Sequence, residues 1–429
     1  MLWVYRLLFL PALVVLAPGY FWRMRRRGGY GEKFVQRFGA HGGLPAKRAD
    51  RRRVWVQAVS VGEVLAIAPL LETLVRGGGV EIYLTTTTST GHRLARERYA
   101  GLILGLGYFP IDWWPLARAA WRRISPDLVI LTEGERWPEH LQQARLRGVP
   151  VVCINARLSD RSFMRLRRFG IARDAVFGGI TRLLPASTHD EARFRELGVP
   201  AERIATTGNI KLDVRIARLG EVERARLRRE LGLGEGLVLL GSSTWPGEER
   251  ALIAAWRAAR AGGAACALLL VPRHAERRPE IARLIGEVGA TAHFRSQGAA
   301  PGAVDIAVAD TTGELRTLTQ LADLVFVGKS LAPNDGGQTP VEAAALEKPI
   351  LFGPRMTNFR PIAAEMLACG AAAEVLDGRA LTETVTTLLG DPARRAAMAR
   401  AAGEWQRTNA GAVERTLAVI REELAKTRR

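Results

Sequence analysis

Two acidic motifs stand directly behind β-rich runs, and both can do acid–base chemistry. Ser60-Val61-Gly62-Glu63 follows the run Val54–Val59, and Thr132-Glu133-Gly134-Glu135-Arg136-Trp137-Pro138 follows Asp127–Leu131. A carboxylate at the carboxyl edge of a sheet can take the proton of a hydroxyl that attacks an electrophilic carbon. Glu63 is the candidate for that role. Ser-x-x-Glu is equally a capping box, and a helix dipole lowers the basicity of a first-turn carboxylate unless burial compensates. Thr132-x-x-Glu135 is a second capping pattern, which leaves Glu133 as an acid without a structural duty. Near mid-chain, Gly208-Asn209-Ile210-Lys211-Leu212-Asp213 offers Lys211. That lysine either offsets negative charge on a departing phosphate or a carboxylate, or is a solvated surface residue.

The second half carries loops suited to phosphate. Gly241-Ser242-Ser243-Thr244 ends one β-rich run ahead of a helix, so its amides and hydroxyls can hold an anion. Pro272-Arg273-His274 ends the next, and Arg273 can pair with phosphate or carboxylate. Asp310-Thr311-Thr312-Gly313-Glu314-Leu315 ends another. The richest segment runs from Gly328 to Gly353. In it Gly336 and Gly337 precede Thr339, Pro340 at a first helical position and Glu342 in the first turn. Free amides there suit a phosphate, and the carboxylate suits the two hydroxyls of a ribose. Thr339-x-x-Glu342 is again a capping pattern. Neither GxGxxG nor GxxxxGK[ST] occurs, which counts against a dinucleotide cofactor and against ATP hydrolysis. The histidines show no metal-ligand spacing, and Cys153, Cys266 and Cys369 form no CxxC pair. No cofactor, metal or disulfide framework is expected.

These loops need a scaffold of alternating strands and helices. Strands are expected at Val54–Val59, Val80–Leu84, Asp127–Leu131, Val151–Ile154, Leu183–Ala186 and Arg203–Thr207. A charged helical stretch at Leu219–Leu233 interrupts the pattern. It resumes with strands at Leu237–Leu240, Ala267–Val271, Val304–Val308, Leu324–Val327 and Ile350–Phe352, and helices at Pro392–Gln406 and Ala412–Lys426 close the chain. The stretch Gly62–Val75 reads as one helix. Such alternation means βαβ units and parallel sheets. At 429 residues two domains are expected. The class is α/β with two doubly wound domains, and a cleft between them is the natural site for a ligand.

The N-terminus differs from the rest. Leu7 to Trp22 carry no charge, Arg6 precedes them, and Arg23, Arg25, Arg26 and Arg27 follow. As a helix this run reaches about 24 Å, short of a bilayer core of about 30 Å, and Pro11 and Pro18 interrupt it. A marginal spanning helix and an interfacial anchor both fit. The basic flank puts the chain beyond Arg23 in the cytoplasm. The net charge of +19 implies an anionic partner. Nucleic acid is disfavoured because the charge gathers beside an apolar segment and is not interleaved with aromatics.

Taken in order, these segments resemble the Kdo transferases of lipopolysaccharide synthesis, which join 3-deoxy-D-manno-octulosonic acid (Kdo), carried as CMP-Kdo, to the lipid A precursor. The likeness spans essentially the whole chain. It runs from Tyr30-Gly31-Glu32-Lys33 through AVSVGE (58–63), TTTTSTG (85–91), YFPID (108–112), EGERWP (133–138), INARLSDRS (154–162), GNIKLD (208–213), STWPGEE (243–249), VPRH (271–274) and TGEL (312–315) to the 328–360 block. It implies a GT-B fold, two Rossmann-like domains facing a central cleft, with inverting transfer and no metal. The expected parts are a membrane anchor at 1–29, an acceptor domain at 30–218, a CMP-Kdo domain at 219–405 and a C-terminal helix at 406–429 returning to the first domain. It implies Glu63 as base and Glu133 and Lys211 as transition-state support. Ser60, Gly62 and Glu135 are expected to meet substrate. CMP contacts are expected from Pro272, Arg273, Gly313, Glu314, Leu315, Gly337, Gln338, Thr339, Pro340, Val341 and Glu342. The implied partners are CMP-Kdo, lipid IVA and the cytosolic face of the inner membrane, with a UDP-sugar transferase of the same fold as the alternative. The family usually has His and Asn where Gln338 and Thr339 stand, and often His at Gln57 and Trp245.

Overall fold

Alternating apolar residues along each β-rich run are buried on opposite sides of a parallel sheet, as expected of strands covered on both faces. In the computed structural model, which describes residues 2–26, 34–170 and 173–427, the chain divides into two compact units. One comprises Met1–Asp213 with Gly411–Arg429, the other Val214–Ala410.

The first unit holds β1 (Arg52–Ala58), β2 (Val80–Thr86), β3 (Gly105–Tyr108), β4 (Leu128–Thr132), β5 (Val151–Ala156) and β6 (Arg182–Pro185). Their order is β3-β2-β1-β4-β5-β6, all parallel. Val54, Val56, Ile130 and Ile154 bury on one face with Leu417, Ile420 and Leu424 of the C-terminal helix Ala412–Lys426. Trp55, Val129, Leu131 and Cys153 bury on the other. The order reverses at β1 and β4, and the loops beyond their carboxyl ends are where such sheets bind ligands.

The second unit holds β7 (Leu237–Thr244), β8 (Cys266–Pro272), β9 (Ala292–Phe294), β10 (Ile306–Val308), β11 (Leu324–Val327), β12 (Ile350–Phe352) and β13 (Ala372–Glu374). The order is β13-β12-β11-β7-β8-β10-β9, again parallel. Here the reversal lies at β7 and β11. The fold is thus α/β with two Rossmann-like domains, the GT-B architecture.

Several local expectations fail for identifiable reasons. Arg203–Thr207 is not a strand and makes one bridge, Leu183 to Ile204. The carbonyl and hydroxyl of Thr207 are instead bonded by Arg415 and Thr416 of the C-terminal helix. The helix read as Gly62–Val75 is two, Val61–Ala66 and Ala68–Arg76, the second opening with Pro69, which cannot donate an amide to the preceding turn. Gly241–Thr244 is not a loop but the last part of β7. The short strands β3, β9 and β13 have too few residues to show a period.

The N-terminal helix covers Leu2–Arg26 with Pro11 and Pro18 inside it. Among the described residues no single helix is long and apolar enough to cross a membrane; the arms Leu2–Phe9 and Pro11–Gly19, bent by 45°, pass that test only as a pair. Pro11 accounts for the bend, since it withholds an amide and crowds the preceding turn. Arg27 and Tyr30–Lys33 of the expected basic flank lie outside the described residues, as do the side chains from Tyr20 to Arg26.

Candidate active site

Glu63 lies in the first turn of Val61–Ala66, just past the end of β1, and is buried. A variant of the capping box is present, the carboxylate reaching the Val59 amide and not that of the cap: Ser60 is the N-cap, its hydroxyl donates to Glu63 Oε1 at 3.2 Å, and it accepts from the Glu63 amide at 3.5 Å. The other carboxylate oxygen, Oε2, accepts from the Val59 amide at 2.9 Å and from the Thr132 hydroxyl at the end of β4. The side chain is therefore fixed by two strand ends. Gly62, beside it, is exposed and leaves the approach open, since an added side-chain carbon there would come no nearer than 3.9 Å to the Ser60 hydroxyl.

The second acidic motif does not cap a helix. Thr132 ends β4 and the following helix, Pro138–Arg147, begins behind Trp137 with no side-chain cap. Its hydroxyl serves the Gln57 carbonyl at 3.0 Å and Glu63 instead. Glu133 adopts a left-handed backbone, φ 50°, a strained state for a residue with a side chain. That turn aims its carboxylate at Lys211, with which it forms an ion pair, while Asn155 Nδ2 donates to the same Oε1 at 3.3 Å. Asn155, the last residue but one of β5, has φ 50°, and its Oδ1 accepts from the Ile210 amide at 3.1 Å. Sequence reasoning gave Asn155 no role. Its only signal was its place at a strand end inside INARLSDRS.

Glu135 completes the cluster. Trp137 Nε1 donates to its Oε2 at 2.9 Å. Burial pushes its carboxyl above the usual range and the negative charge of Glu63 adds to this, while Trp137, Gln57 and Arg136 oppose it. Gln57 is buried in β1, held by Thr85 at 2.7 Å and donating to Thr87 at 2.9 Å. Glu63, Glu133, Glu135 and Lys211 thus meet at one sheet edge, and Ser60 and Gly62 border them.

In the second unit the expected loops also converge. Pro272 ends β8 beside Thr244 of β7, and the exposed Arg273 donates its amide to the Thr244 carbonyl at 3.1 Å. Beyond β11, Gly337 (φ 69°) and Gln338 donate amides to the carbonyls of Lys329 and Gly328 at 2.9 and 3.0 Å. A side chain at Gly337 would collide with Met356, its first carbon only 2.3 Å from the sulfur. The Thr339-to-Glu342 capping box does not form. The helix is only Val341–Ala345 with Pro340 as cap, the Thr339 hydroxyl accepts from the Val341 amide at 3.3 Å, and Glu342 receives Arg316 Nε at 2.7 Å. That ion pair ties the 339–342 segment to Gly313, Glu314 and Leu315. Glu314 is bonded by Thr311 and Arg295.

A residue without an assigned role organises this edge. Glu248 is buried at the start of helix Glu248–Ala261 and accepts four backbone amides: Trp245 at 2.9, Lys329 at 2.8, Ser330 at 2.9 and Leu331 at 3.1 Å. It joins the loops after β7 and β11. Lys329 (φ 60°) holds its ammonium 4.6 Å from the centre of the Trp245 ring. Among the described residues no group of three or more His, Cys, Asp or Glu side chains is placed to hold a metal ion.

Comparison with known proteins decides the family. A family model described as 3-deoxy-D-manno-octulosonic-acid transferase (kdotransferase) matches residues 32–214. The 3-deoxy-D-manno-octulosonic acid transferase of Bordetella pertussis is 36% identical over 412 residues, 93% of this chain and 94% of the relative. This chain belongs to the Kdo transferase family. A second member, from Haemophilus influenzae, is 29% identical over 91% of each chain. Among solved structures, UDP-GlcNAc 2-epimerase of Neisseria meningitidis superposes with a TM-score of 0.56 at 14% identity, covering 87% of this chain and all of the other. That likeness is one of fold. As a Kdo transferase the chain is a glycosyltransferase enzyme, so the acid cluster is to be read for sugar transfer.

Proposed function

We propose that this enzyme transfers Kdo from CMP-Kdo to a hydroxyl of lipid IVA, a lipid A precursor, at the cytosolic face of the inner membrane. The carrying observation is the cluster of Glu63, Glu135 and the Glu133–Lys211 pair at the carboxyl edge of β1, β4 and β5. In this reading Glu63 takes the proton of the attacking hydroxyl. Three donors, the Val59 amide and the Ser60 and Thr132 hydroxyls, hold its carboxylate in one position from which to receive that proton. Lys211, held by Glu133 and Asn155, offsets negative charge as the sugar–phosphate bond breaks. The second unit holds CMP through Pro272 and Arg273, the 313–315 turn and the Gly337–Glu342 segment. The hydroxyl oxygen bonds the anomeric carbon on the face opposite CMP, and CMP leaves with the bonding pair as a phosphate needing little protonation.

An anionic lipid acceptor suits the exposed surface of helix Asp160–Arg168. Arg161, Arg165, Arg167 and Arg168 are exposed there alongside Met164 and Phe169, in a basic, partly apolar hollow. The proposed domain roles are then acceptor on the first unit and donor on the second.

The test is direct. Purified enzyme is incubated with CMP-Kdo and tetraacylated lipid A precursor, and the lipid is weighed by mass spectrometry. Addition of Kdo is expected. Turnover of a UDP-sugar with none of CMP-Kdo would overturn the donor assignment.

A further inference from the structure

The N-terminal helix has two unlike sides. Leu2, Tyr5, Arg6, Phe9, Leu13 and Ala17 are partly covered, at helical spacing along one face. Among the described side chains the opposite face is exposed and apolar: Trp3 (71% exposed), Val4, Leu7 (73%), Leu8, Val14 and Val15 (76%).

The covered face is pinned to the first unit near its start. The Tyr5 hydroxyl donates to Asp112 Oδ2 at 2.6 Å. Arg6 makes a two-pronged ion pair with Glu139, Nε to Oε2 at 2.9 Å and Nη2 to Oε1 at 3.1 Å. Both carboxylates are buried, and Asp112 also accepts the amides of Glu139 and His140 at 3.1 and 2.9 Å. Behind the helix the chain returns to the same spot, since the Arg37 carbonyl accepts from the amide of Ile111, the residue next to Asp112, at 2.8 Å.

A helix that spans a bilayer leaves its ends on opposite sides. Here the chain on either side of the apolar segment ties to adjacent residues, 111 and 112. From Arg6 to Arg26 a helix advances about 30 Å, roughly one hydrocarbon thickness. If it stood upright, the chain from Arg26 to Phe34 would have to carry Arg26, Arg27, Glu32 and Lys33 back across the bilayer. Lying in the interface incurs no such cost. Arg6 and the later basic cluster then share one side, in keeping with the charge rule for cytoplasmic segments. Trp114, 40% exposed, stands beside Arg6 and Arg118 (5.6 and 5.9 Å from ring centre to guanidinium) and suits the headgroup level.

We infer that the enzyme is monotopic: helix Leu2–Arg26 lies in the surface of an anionic bilayer, its Trp3–Leu7–Val15 face in the lipid and its Tyr5–Arg6 face clamped to Asp112 and Glu139, so that the N-terminus and the catalytic units share one side. This rests on the reading that the acceptor is a membrane lipid.

The test uses the full chain with a flexible cysteine-bearing tag ahead of Met1, in sealed inside-out inner-membrane vesicles treated with a membrane-impermeant maleimide. Native Cys369 is exposed while Cys153 and Cys266 are buried, so Cys369 reports the side of the catalytic units. The tag and Cys369 are expected to react from the same side. Reaction of the tag only from the side opposite Cys369 overturns the inference and leaves membrane attachment standing. Recovery of the chain in the soluble fraction sinks the membrane reading itself. In a second arm Leu7→Glu with Val15→Glu is expected to reduce sedimentation with phosphatidylglycerol-containing vesicles at least 10-fold, with an unchanged thermal midpoint. Undiminished binding of that variant overturns the inference.

Discussion

Replacing Glu248 probes how the donor-side loops are held. Its carboxylate accepts four amides, and Ser330 and Leu331, which supply two of them, are buried. A hydrogen bond to a charged group contributes about 1.5–3 kcal/mol, and an orphaned buried amide costs about 1–3 kcal/mol. Glu248→Ala frees all four, but water can enter on the side of Lys329, which is only partly buried, so roughly half the sum should survive, about 3–6 kcal/mol. Glu248→Gln can keep Oε1 for Ser330 and Leu331 but sets an amide NH2 against the Trp245 and Lys329 amides, for about 2–3 kcal/mol. At about 2–4 °C per kcal/mol for a domain of this size, the alanine variant should melt at least ~6 °C lower and the glutamine variant ~4 °C lower. Hydrogen exchange supplies the local check: the amides of Trp245, Lys329, Ser330 and Leu331 should lose protection while those of β12 keep it. An alanine variant with unchanged melting and unchanged protection at 328–331 would refute the clamp.

Glu63→Gln keeps the shape of the capping box yet removes the proposed base, so kcat should fall ~10²-fold or more with little change in melting; near-normal turnover in the lipid assay would remove Glu63 from that role. Lys211→Met should lower kcat by about 10²-fold while shifting stability by no more than ~1 kcal/mol, because its pair with Glu133 is partly solvated; steady-state kinetics and a melt on the same sample separate the two. Acid should loosen the first unit. Burial lowers His41 and His140 to about 4 against 6.5 unfolded, so the stability they contribute is full above pH 6.5 and is lost as pH falls toward 4, about 3 kcal/mol each. Burial raises Asp112 to about 6 from 3.8, which works the other way and offsets roughly 3 kcal/mol over the same range. A net loss of about 3–4 kcal/mol between pH 7 and pH 4 should appear as a falling urea midpoint, and a midpoint that rises on acidification would contradict the balance.

The strands that surround the site were legible because they are short, apolar and closed by Gly or Pro. Leu324–Val327 and Ile350–Phe352 are found as read, and Glu63 stood out as a candidate because it follows such a run. What the sequence hid depends on backbone sign and distant partners. Thr132-x-x-Glu135 and Thr339-x-x-Glu342 have the spacing of capping boxes, but spacing does not tell whether a helix starts there. Thr132 is still in a strand, and Glu342 is taken by Arg316 from another segment. The Glu133–Lys211 pair needs two non-glycine residues, Glu133 and Asn155, in left-handed turns at adjacent strand ends, a preference that carries no residue signature. Glu248 drew no reading of its own within STWPGEE, and only the fold reveals that its carboxylate faces inward on four amides.

The charges at the two sheet edges argue for a division of labour in the proposed transfer. In the second unit the carboxylates near the loops are already occupied: Glu248 by amides, Glu314 by Arg295 and Thr311, Glu342 by Arg316. Arg273 and Lys329 stand beside these loops, so an entering phosphate meets positive charge and little repulsion. In the first unit the balance is reversed. Burial and the negative charge of Glu63 push the Glu135 carboxyl up, Arg136 offsets part of this, and Lys211 is paired with Glu133. That cluster leaves little positive charge to hold a phosphate before reaction, whereas a neutral hydroxyl can approach and surrender its proton, and Lys211 acts only as charge develops on the departing group. If the halves were assigned the other way round, the donor's phosphate would face the carboxylates and the hydroxyl would find no base. A charge-swapping pair makes the point testable: Arg273→Glu should weaken CMP inhibition at least ~10-fold, while Glu135→Gln should leave it within a factor of about two and act on kcat. The opposite pattern would reverse the assignment of donor and acceptor.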